Sequence, residues 1–320
     1  MMRLILYFMR LTASLFTVLL GDFIAIKYYR KKPRCEVTLV DNVYESKKVG
    51  IILQGPPVYV NKFTINTLRF YREKYPESVI VISVWSDVQS HFVDEVEALG
   101  IKVLINKKPS PGINNINLQI KSTSAAIQYL QKSCDYILKT RSDQRCDCEN
   151  DFLGHFQNLQ KIFPMEERSL EKRLIVSNLR MSSDRFYGIT DFLMFGTSKD
   201  MELYWCIPFD SKVQSDYRRE KDMRFFIRTE ISEGYLVSNF CSNVGYNCDW
   251  TELDSQQFLA RFFCIVNRNE IGHFWYKYHW QFDNFLRRDD QISFISELSF
   301  SAWVEYYLRE KSSINTMKQQ

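Results

Sequence analysis

The stretch that decides the fold is Tyr136-Ile137-Leu138-Lys139-Thr140-Arg141-Ser142-Asp143. A short apolar run, typical of a strand, leads directly into a charged turn that ends on the carboxylate of Asp143. In open α/β sheets, ligands bind just beyond the carboxyl ends of the strands. A carboxylate at that position can hold a divalent cation, and the cation can bridge a diphosphate. The stretch therefore predicts a site for a nucleotide or a nucleotide-sugar.

Strand and helix patterns alternate on both sides of this stretch, which favours a sheet built from β-α units. Apolar runs rich in β-branched residues predict strands at residues 49–54, 78–85, 101–105, 136–140, 173–180 and 191–196. Helical spacing predicts helices at residues 61–75, 92–99, 116–130 and 231–240. We predict an α/β fold with a Rossmann-type, mostly parallel sheet flanked by helices, and a mostly helical, aromatic C-terminal region.

Composition places the chain among folded globular proteins. It has 320 residues, of which 25% are charged and 45% apolar. The formal net charge of +4 is small for this length, so no nucleic-acid partner is implied. Aromatic residues make up 15% of the chain, and we expect them to line the core and grooves.

The 8 cysteines are scattered along the chain without paired Cys-x-x-Cys spacing. Cys146 and Cys148 are separated by one residue, which is a poor signature for zinc. The pattern therefore predicts thiols in a reducing compartment rather than a disulfide framework.

The N-terminal segment, residues 1–47, is apolar and then basic. Residues 4–26 are largely apolar, and the charge-free run 11–21 is shorter than the ~20 residues that a membrane-spanning helix needs. No clear small-x-small cleavage site follows the run, which disfavours a signal peptide. Aromatic and basic residues at 28–32 suit a helix lying on a membrane surface, and an ordinary packing helix is the alternative.

Two further stretches suggest contacts with a nucleotide-sugar. The turn that begins Gln54-Gly55 follows a strand and precedes a helix, so its backbone can approach a ligand closely. It lacks a dinucleotide or P-loop motif, and a simple connecting turn is the alternative. Residues 114–119 carry three Asn and one Gln at a helix start, more than one N-cap needs. The surplus amides, including Asn117 and Gln119, could bind sugar hydroxyls or a base, although capping alone is the alternative.

Charged side chains supply the remaining candidates. Arg141 or Arg145 can face phosphate, because a guanidinium donates two parallel hydrogen bonds, whereas the alternative for residues 141–145 is a solvated turn with a surface ion pair. Asp191 precedes a predicted strand, and Glu233 lies at the start of a predicted helix. Either carboxylate could act as a general base on an acceptor hydroxyl. For Glu233, stabilisation by the helix dipole is a sufficient alternative explanation.

Five segments together resemble a known family. They are Gln54 to Pro57, Asn114 to Thr123, Tyr136 to Asp143, Thr190 to Gly196 and Ser232 to Leu236. Their succession resembles the WavE lipopolysaccharide-synthesis family of GT-A type glycosyltransferases over roughly residues 48–245. The resemblance implies a GT-A-like fold, a nucleoside-diphosphate-sugar donor and transfer of a hexosyl or related unit to a glycan or glycolipid acceptor. It also implies a divalent cation, Mn²⁺ or Mg²⁺. Together with the N-terminal segment, which suits a membrane surface, it leads us to expect a location at the inner face of the cytoplasmic membrane, with peripheral membrane contact.

The resemblance also implies residue roles. Asp143 takes the position of the metal-binding acidic motif. The usual Asp-x-Asp is absent, because the next acidic residue, Asp147, lies four residues on instead of two. Glu233 matches the catalytic base, although Gly234 stands where the family shows Gln. Asp191 would be the second catalytic carboxylate and help to hold the acceptor. The predicted donor contacts are Gln54, Gly55, Asn117, Gln119 and Arg141. Residues 48–245 would form the catalytic domain, and residues 246–320 the acceptor side or a membrane contact.

Two other functions fit parts of the same pattern. A nucleotidyltransferase acting on a sugar phosphate would also need a carboxylate–metal site, but it usually has a basic loop near the first strand. The turn at residues 54–57 contains no Lys or Arg, which disfavours this alternative. A non-catalytic glycan-binding protein with a degenerate site is the second alternative, and the missing second Asp keeps it open.

Overall fold

The structure is a computed structural model that describes residues 48–148, 150–166, 169–182, 185–212, 231–278 and 297–319. The N-terminal segment with its predicted surface helix lies outside these residues. No helix within the described part of the chain is long and apolar enough to cross a membrane.

The described residues form strands and helices in an alternating order. The strands are β1 (Val49–Gln54), β2 (Val79–Trp85), β3 (Lys102–Asn106), β4 (Tyr136–Arg141), β5 (Gln144–Cys146), β6 (Leu174–Ser177), β7 (Met194–Thr197), β8 (Phe263–Val266) and β9 (His273–Trp275). The α-helices are α1 (Phe63–Lys74), α2 (Ser90–Glu97), α3 (Ile116–Leu130), α4 (Phe152–Ile162), α5 (Ser198–Trp205), α6 (Ser232–Val244), α7 (Glu252–Phe262) and α8 (Phe300–Gln319). The predicted strands and helices are present, with ends that differ by up to a few residues.

Seven strands form one sheet in the order β3-β2-β1-β4-β7-β6-β8. The β1–β2, β2–β3, β1–β4 and β6–β8 pairs are parallel. The strand β7 is antiparallel to both of its neighbours, β4 and β6. The predicted mostly parallel α/β sheet is therefore confirmed.

The central strands are buried on both faces. Residues 51–53 of β1 and 80–82 of β2 are almost inaccessible to solvent. Continuous burial of this kind explains why their sequences are unbroken apolar runs rather than alternating ones, as helices must cover both faces of a parallel sheet. A Cβ on Gly50 would lie 2.8 Å from Leu130 Cδ1, so the end of α3 packs closely over the start of β1. The helix therefore begins near the opposite, carboxyl edge of the sheet.

The direction of β7 was not evident from the sequence. Repeated β-α units predict parallel strands, whereas β7 pairs antiparallel with β4 through Leu138 and Phe195. In this arrangement the residues that precede β7 lie beside the end of β4. A parallel β7 would have placed them at the far edge of the sheet.

Two strands of the C-terminal region were also not predicted. β8 adds to the edge of the main sheet beside β6, and β9 pairs antiparallel with β5 in a two-stranded sheet. A domain boundary at residue 245 stays a prediction, although hydrogen-bonded strands join the two sides of it.

Candidate active site at the carboxyl edge of the sheet

The candidate site lies where the order of the strands reverses. The chain builds β1, β2 and β3 in one direction and then places β4 on the other side of β1. Such a switch point leaves a crevice at the carboxyl ends of the two central strands, where α/β proteins bind ligands. Gln54 and Arg141 are register partners at this edge, so their side chains share one face of the sheet. The sequence thus predicted the correct edge for both residues.

Gly55 gives the turn after β1 a backbone conformation with positive φ, as expected for a glycine. Gly55 has φ of 109°, in the region that side chains disfavour, and its N–H donates to the carbonyl oxygen of Ser83 at 3.1 Å. Gln54 is buried, and its Oε1 has no hydrogen-bond partner within the described chain. A buried acceptor without a partner is unfavourable, so a donor from a ligand or a water would stabilise it.

Asp143 faces the protein rather than open solvent. Arg141 Nε donates to Asp143 Oδ1 at 2.9 Å, and Arg141 Nη2 donates to Oδ2 at 3.2 Å. Trp275 Nε1 donates to the same Oδ2 at 2.9 Å. The carboxylate is therefore bound on one side by a forked guanidinium and on the other by an indole from β9.

Arg141 also contacts Asp191 and two aromatic rings. Its Nη1 lies 3.4 Å from Asp191 Oδ2, and its guanidinium carbon lies 5.7 Å from the ring centre of Phe192 and 5.6 Å from that of Trp275. Rings at this distance favour a cation. Three of the five guanidinium N–H groups are thereby engaged, and the side chain stays 25% exposed.

Lys139 lies beneath this cluster as a fully buried charge. Its Nζ donates to the backbone oxygen of Asp191, lies 3.7 Å from Asp191 Oδ2 and lies 4.6 Å from the ring centre of Trp205. Burial lowers the pKa of Lys139 from 10.5 to about 8, and the charge of Asp191 opposes that shift. Lys139 and Arg141 thus hold Asp191 from two sides.

The pKa shifts of Arg141 and Asp143 favour the ionised forms of both groups. Burial by itself raises the pKa of Asp143, but the hydrogen bonds and charge of Arg141, followed by the bond from Trp275, hold it below its ordinary value. Burial by itself lowers the pKa of Arg141, and the two carboxylates outweigh it and raise the pKa. The site is therefore a network of ions at neutral pH.

Glu233 approaches from a separate element. It lies in the first turn of α6, as predicted, and its Oε2 lies 3.2 Å from Arg185 Nη2 and accepts a hydrogen bond of 2.7 Å from Ser232 Oγ. Burial raises the pKa of Tyr204 well above 10.0, and the charges of Glu233 and then Asp191 add to the shift. Both carboxylates therefore lie within electrostatic range of one buried hydroxyl.

The two amides predicted from α3 have different surroundings. Asn117 is fully buried, and its side chain pairs with the backbone of Asp210, with an Nδ2–O distance of 2.8 Å and an N–Oδ1 distance of 2.7 Å. Gln119 Oε1 is buried without a partner among the described residues. Neither side chain caps the helix, and its N-cap residue, Asn115, makes no side-chain capping bond. Simple capping therefore does not explain these amides.

The donor set does not fit a metal site formed by the protein alone. Within the described ranges no group of three or more His, Cys, Asp or Glu side chains could hold a metal ion. Asp143 is the one carboxylate at the predicted position, and its oxygens already accept three hydrogen bonds, two of them from a cation. A positive guanidinium at 2.9 Å opposes the approach of a second positive charge.

Sequence reasoning missed three residues that shape the site. Lys139 had a usable signal, because a lysine inside an apolar strand run must find a buried partner. Trp275 and Arg185 had none, because each binds a site residue that is distant from it in sequence, Asp143 and Glu233 respectively.

Comparisons with known proteins give one family match and a number of distant structural likenesses. One similar solved structure is 4-diphosphocytidyl-2C-methyl-D-erythritol synthase from Anaerococcus prevotii, with 15% identity and a TM-score of 0.34 over 54% of this chain and 81% of that chain. Another is glucosyl-3-phosphoglycerate synthase from Mycobacterium tuberculosis in complex with Mn²⁺, UDP-glucose and glycerol 3-phosphate. It has 11% identity and a TM-score of 0.36 over 76% of this chain and 87% of that chain. Both likenesses are too distant to transfer a ligand or a reaction to this chain.

The search of curated proteins found no match. The family comparison did find one, and it spans most of the chain. Residues 49–312 match the family described as WavE lipopolysaccharide synthesis, so the match extends beyond the segments that suggested it and includes β8, β9 and part of α8. The chain belongs to the WavE lipopolysaccharide synthesis family.

Proposed function

We propose that this protein is a glycosyltransferase, which moves a sugar from a nucleoside-diphosphate-sugar to a hydroxyl of a growing lipopolysaccharide or another surface glycan. The observation that carries the proposal is the ionic network at the switch point, where Arg141 lies between Asp143 and Asp191 beside Gln54. Membership of a lipopolysaccharide synthesis family supplies the acceptor class. Hexosyl transfer at the inner face of the cytoplasmic membrane, through a peripheral membrane contact, is part of the same proposal.

Arg141 would stabilise the negative charge of the leaving diphosphate. Two of its five N–H groups have no partner within the described residues, and the side chain is 25% exposed. Asp143, Asp191 and the two flanking rings hold the guanidinium in place before a ligand arrives. Such preorganised charge is the most effective means of stabilising charge that develops in a transition state.

The proposed catalytic base is Glu233. It would accept the proton of the acceptor hydroxyl as that oxygen bonds to the sugar carbon, while the nucleoside diphosphate leaves. Its side chain is 18% exposed, and Arg185 and Ser232 orient the carboxylate. Asp191 has less access to solvent and is bound by two cations, which supports a positioning role on the acceptor side.

The donor would occupy the crevice between the ends of β1 and β4. Gln54 and Gln119 each offer a buried acceptor oxygen without a partner in the described part of the chain, and the bare backbone of Gly55 allows close approach. Asn117 would act indirectly, because its amide ties the start of α3 to the backbone of Asp210. We derive no step from a divalent cation, since the residues present do not fit one.

The test is the binding of nucleoside diphosphates. We expect one of UDP, GDP, ADP or CDP to raise the melting temperature of the protein, with EDTA present as well as with Mn²⁺. Arg141→Met should remove most of this shift. Arg145→Met is a matched control from the neighbouring strand β5, because its side chain is 26% exposed and pairs with Asp147 instead.

Two outcomes would contradict the proposal. If no nucleoside diphosphate shifts the melting temperature under either condition, the crevice does not bind a donor. If Arg145→Met removes the shift as completely as Arg141→Met, then general surface charge accounts for the binding. For a nucleotide that does bind, release of the diphosphate from its sugar conjugates separates an enzyme from a non-catalytic glycan-binding protein.

A further inference from the structure

Two cysteines meet at the end of the helix that begins with the proposed base. Cys241 is buried in the last turn of α6, and Cys248 follows the end of that helix and is half-buried. Their Sγ atoms lie 2.7 Å apart. The separation is short for two sulfur atoms without a bond and exceeds the ~2.0 Å of a disulfide.

The local backbone accounts for this contact. Gly245 has φ of 69° and ends α6 in the left-handed conformation, which reverses the chain. The N–H of Tyr246 then donates to the carbonyl oxygen of Cys241 at 2.8 Å. On its other side the loop is held to α7, where Tyr246 Oη and the N–H of Asp249 donate to the carboxylate of Asp254 at 2.5 and 2.9 Å. The two sulfurs are therefore brought together by a well-bonded loop.

We propose that Cys241 and Cys248 are a thiol-modification site, at which a low-molecular-weight disulfide oxidises the two thiols to an internal disulfide. Cys248 reacts first, because it is the more exposed of the two. Its thiolate attacks the reagent and forms a mixed disulfide, and one thiol leaves. Cys241 then attacks the sulfur of Cys248 and expels the second thiol. The two thiols of the protein lose two electrons and two protons in total, and the reagent gains them as two thiols.

The order of the two attacks follows from the surroundings of each sulfur. The hydrogen bond between the two thiols and then burial raise the pKa of Cys241, which keeps it a thiol while Cys248 is reduced. Once Cys248 is part of a mixed disulfide, that hydrogen bond is gone and Cys241 is the nearest nucleophile. The bond that forms would fix the C-terminal end of α6 and one wall of a cavity of about 340 Å³ that Tyr246, Asn247 and Arg261 help to line.

The experiment treats the full-length, folded protein with oxidised glutathione and measures its intact mass. We expect a loss of two hydrogen atoms per chain. Chymotryptic cleavage after Tyr246 separates the two cysteines in sequence, so their peptides should stay joined until a reductant is added. The melting temperature of the oxidised protein should rise by at least about 3 °C, because the crosslink restricts the unfolded chain.

Two variants serve as controls. Cys248→Ser should neither form the link nor gain in melting temperature. Because this position is half-buried, a serine should fit there without disturbing the fold. Cys148→Ser removes a half-buried thiol elsewhere and should behave like the unchanged protein. Glutathione that remains attached to Cys248, a link between any other two cysteines, or an unchanged mass would each overturn the proposal. None of these results depends on finding a nucleotide that binds.

Discussion

At the scale of single residues, Lys139 occupies a position where a central strand normally carries an apolar side chain. It is fully buried, yet Asp191 and the ring of Trp205 surround its ammonium group. Replacing a buried ion pair by apolar residues is often neutral or stabilising, so retaining one is weak evidence for a role in stability. A role in orienting Asp191 at the site is the better explanation.

Lys139 and Asp191 should be coupled in the stability of the folded protein. Lys139→Met should lower the free energy of unfolding by about 3 kcal/mol, because it leaves the Asp191 carboxylate buried with one cation fewer. The double variant Lys139→Met with Asp191→Leu should recover most of that loss. Urea denaturation of the four proteins of this cycle measures the coupling.

Lys199→Met is the matched control for that cycle. Lys199 pairs with Glu171 at 2.6 Å, but both side chains are exposed, so its replacement should change stability little. Losses that simply add in the double variant would show that Lys139 and Asp191 do not act as a pair.

At the scale of elements, β9 joins two sheets through a buried histidine. His273 Nδ1 lies 2.8 Å from Ser177 Oγ of β6, and its Nε2 lies 3.3 Å from Gln144 Oε1 of β5. The same strand carries Trp275, which binds Asp143. The geometry of the site therefore depends on how β9 is anchored.

The histidine makes the stability of the protein depend on pH. Burial, and then the charge of Arg268, lowers the pKa of His273 from 6.5 to about 3. Between these two values the unfolded chain binds a proton that the folded protein does not. The free energy of unfolding should therefore fall as the pH drops below 6.5, by at most about 1.4 kcal/mol per pH unit from this group.

His273→Gln isolates this contribution. The variant keeps a side chain that can form hydrogen bonds with Ser177 and Gln144 but has no group that titrates near pH 6.5. Chemical denaturation at pH 7 and at pH 4.5 should show a smaller loss for the variant than for the unchanged protein. Equal losses would mean that other groups, such as the ion-paired carboxylates, account for the acid sensitivity.

At the scale of the whole molecule, the sheet and the site need chain from both sides of residue 245. The strand β8 is fully buried along its length beside β6, and β9 supplies a hydrogen bond to Asp143. A catalytic domain confined to residues 48–245 would lack both. It would also expose the apolar face that α7 and α8 cover.

Truncation tests this dependence. We expect residues 48–245, produced alone, to lack a cooperative thermal transition, because the missing strand leaves β6 unpaired along one edge. Residues 48–320 should unfold cooperatively and serve as the control. A shorter fragment that melted as sharply as the longer one would support the predicted boundary at residue 245.

The sequence predicted correctly the features that depend on residues close together in the chain, and it missed those that depend on contacts between distant residues. The strand at residues 136–141 and the helix at residues 116–130 were recognisable, because their apolar spacing is a local property. The carboxyl-edge position of Gln54 and Arg141 followed from their places at the ends of two predicted strands. The partners of Asp143 did not, since Trp275 is 132 residues away in sequence.

By itself, the amino-acid sequence determined six of the nine strands and four of the eight α-helices of the described residues, and that a guanidinium and a carboxylate stand at the end of the fourth strand. Only the tertiary structure decided that β7 runs antiparallel and brings Asp191 to these groups, and that Arg141 and Trp275 together occupy Asp143. The physical reason is that the spacing of apolar residues along a segment depends only on which face of that segment is buried. Strand direction and ion pairing depend instead on the packing of distant segments, which no local pattern records.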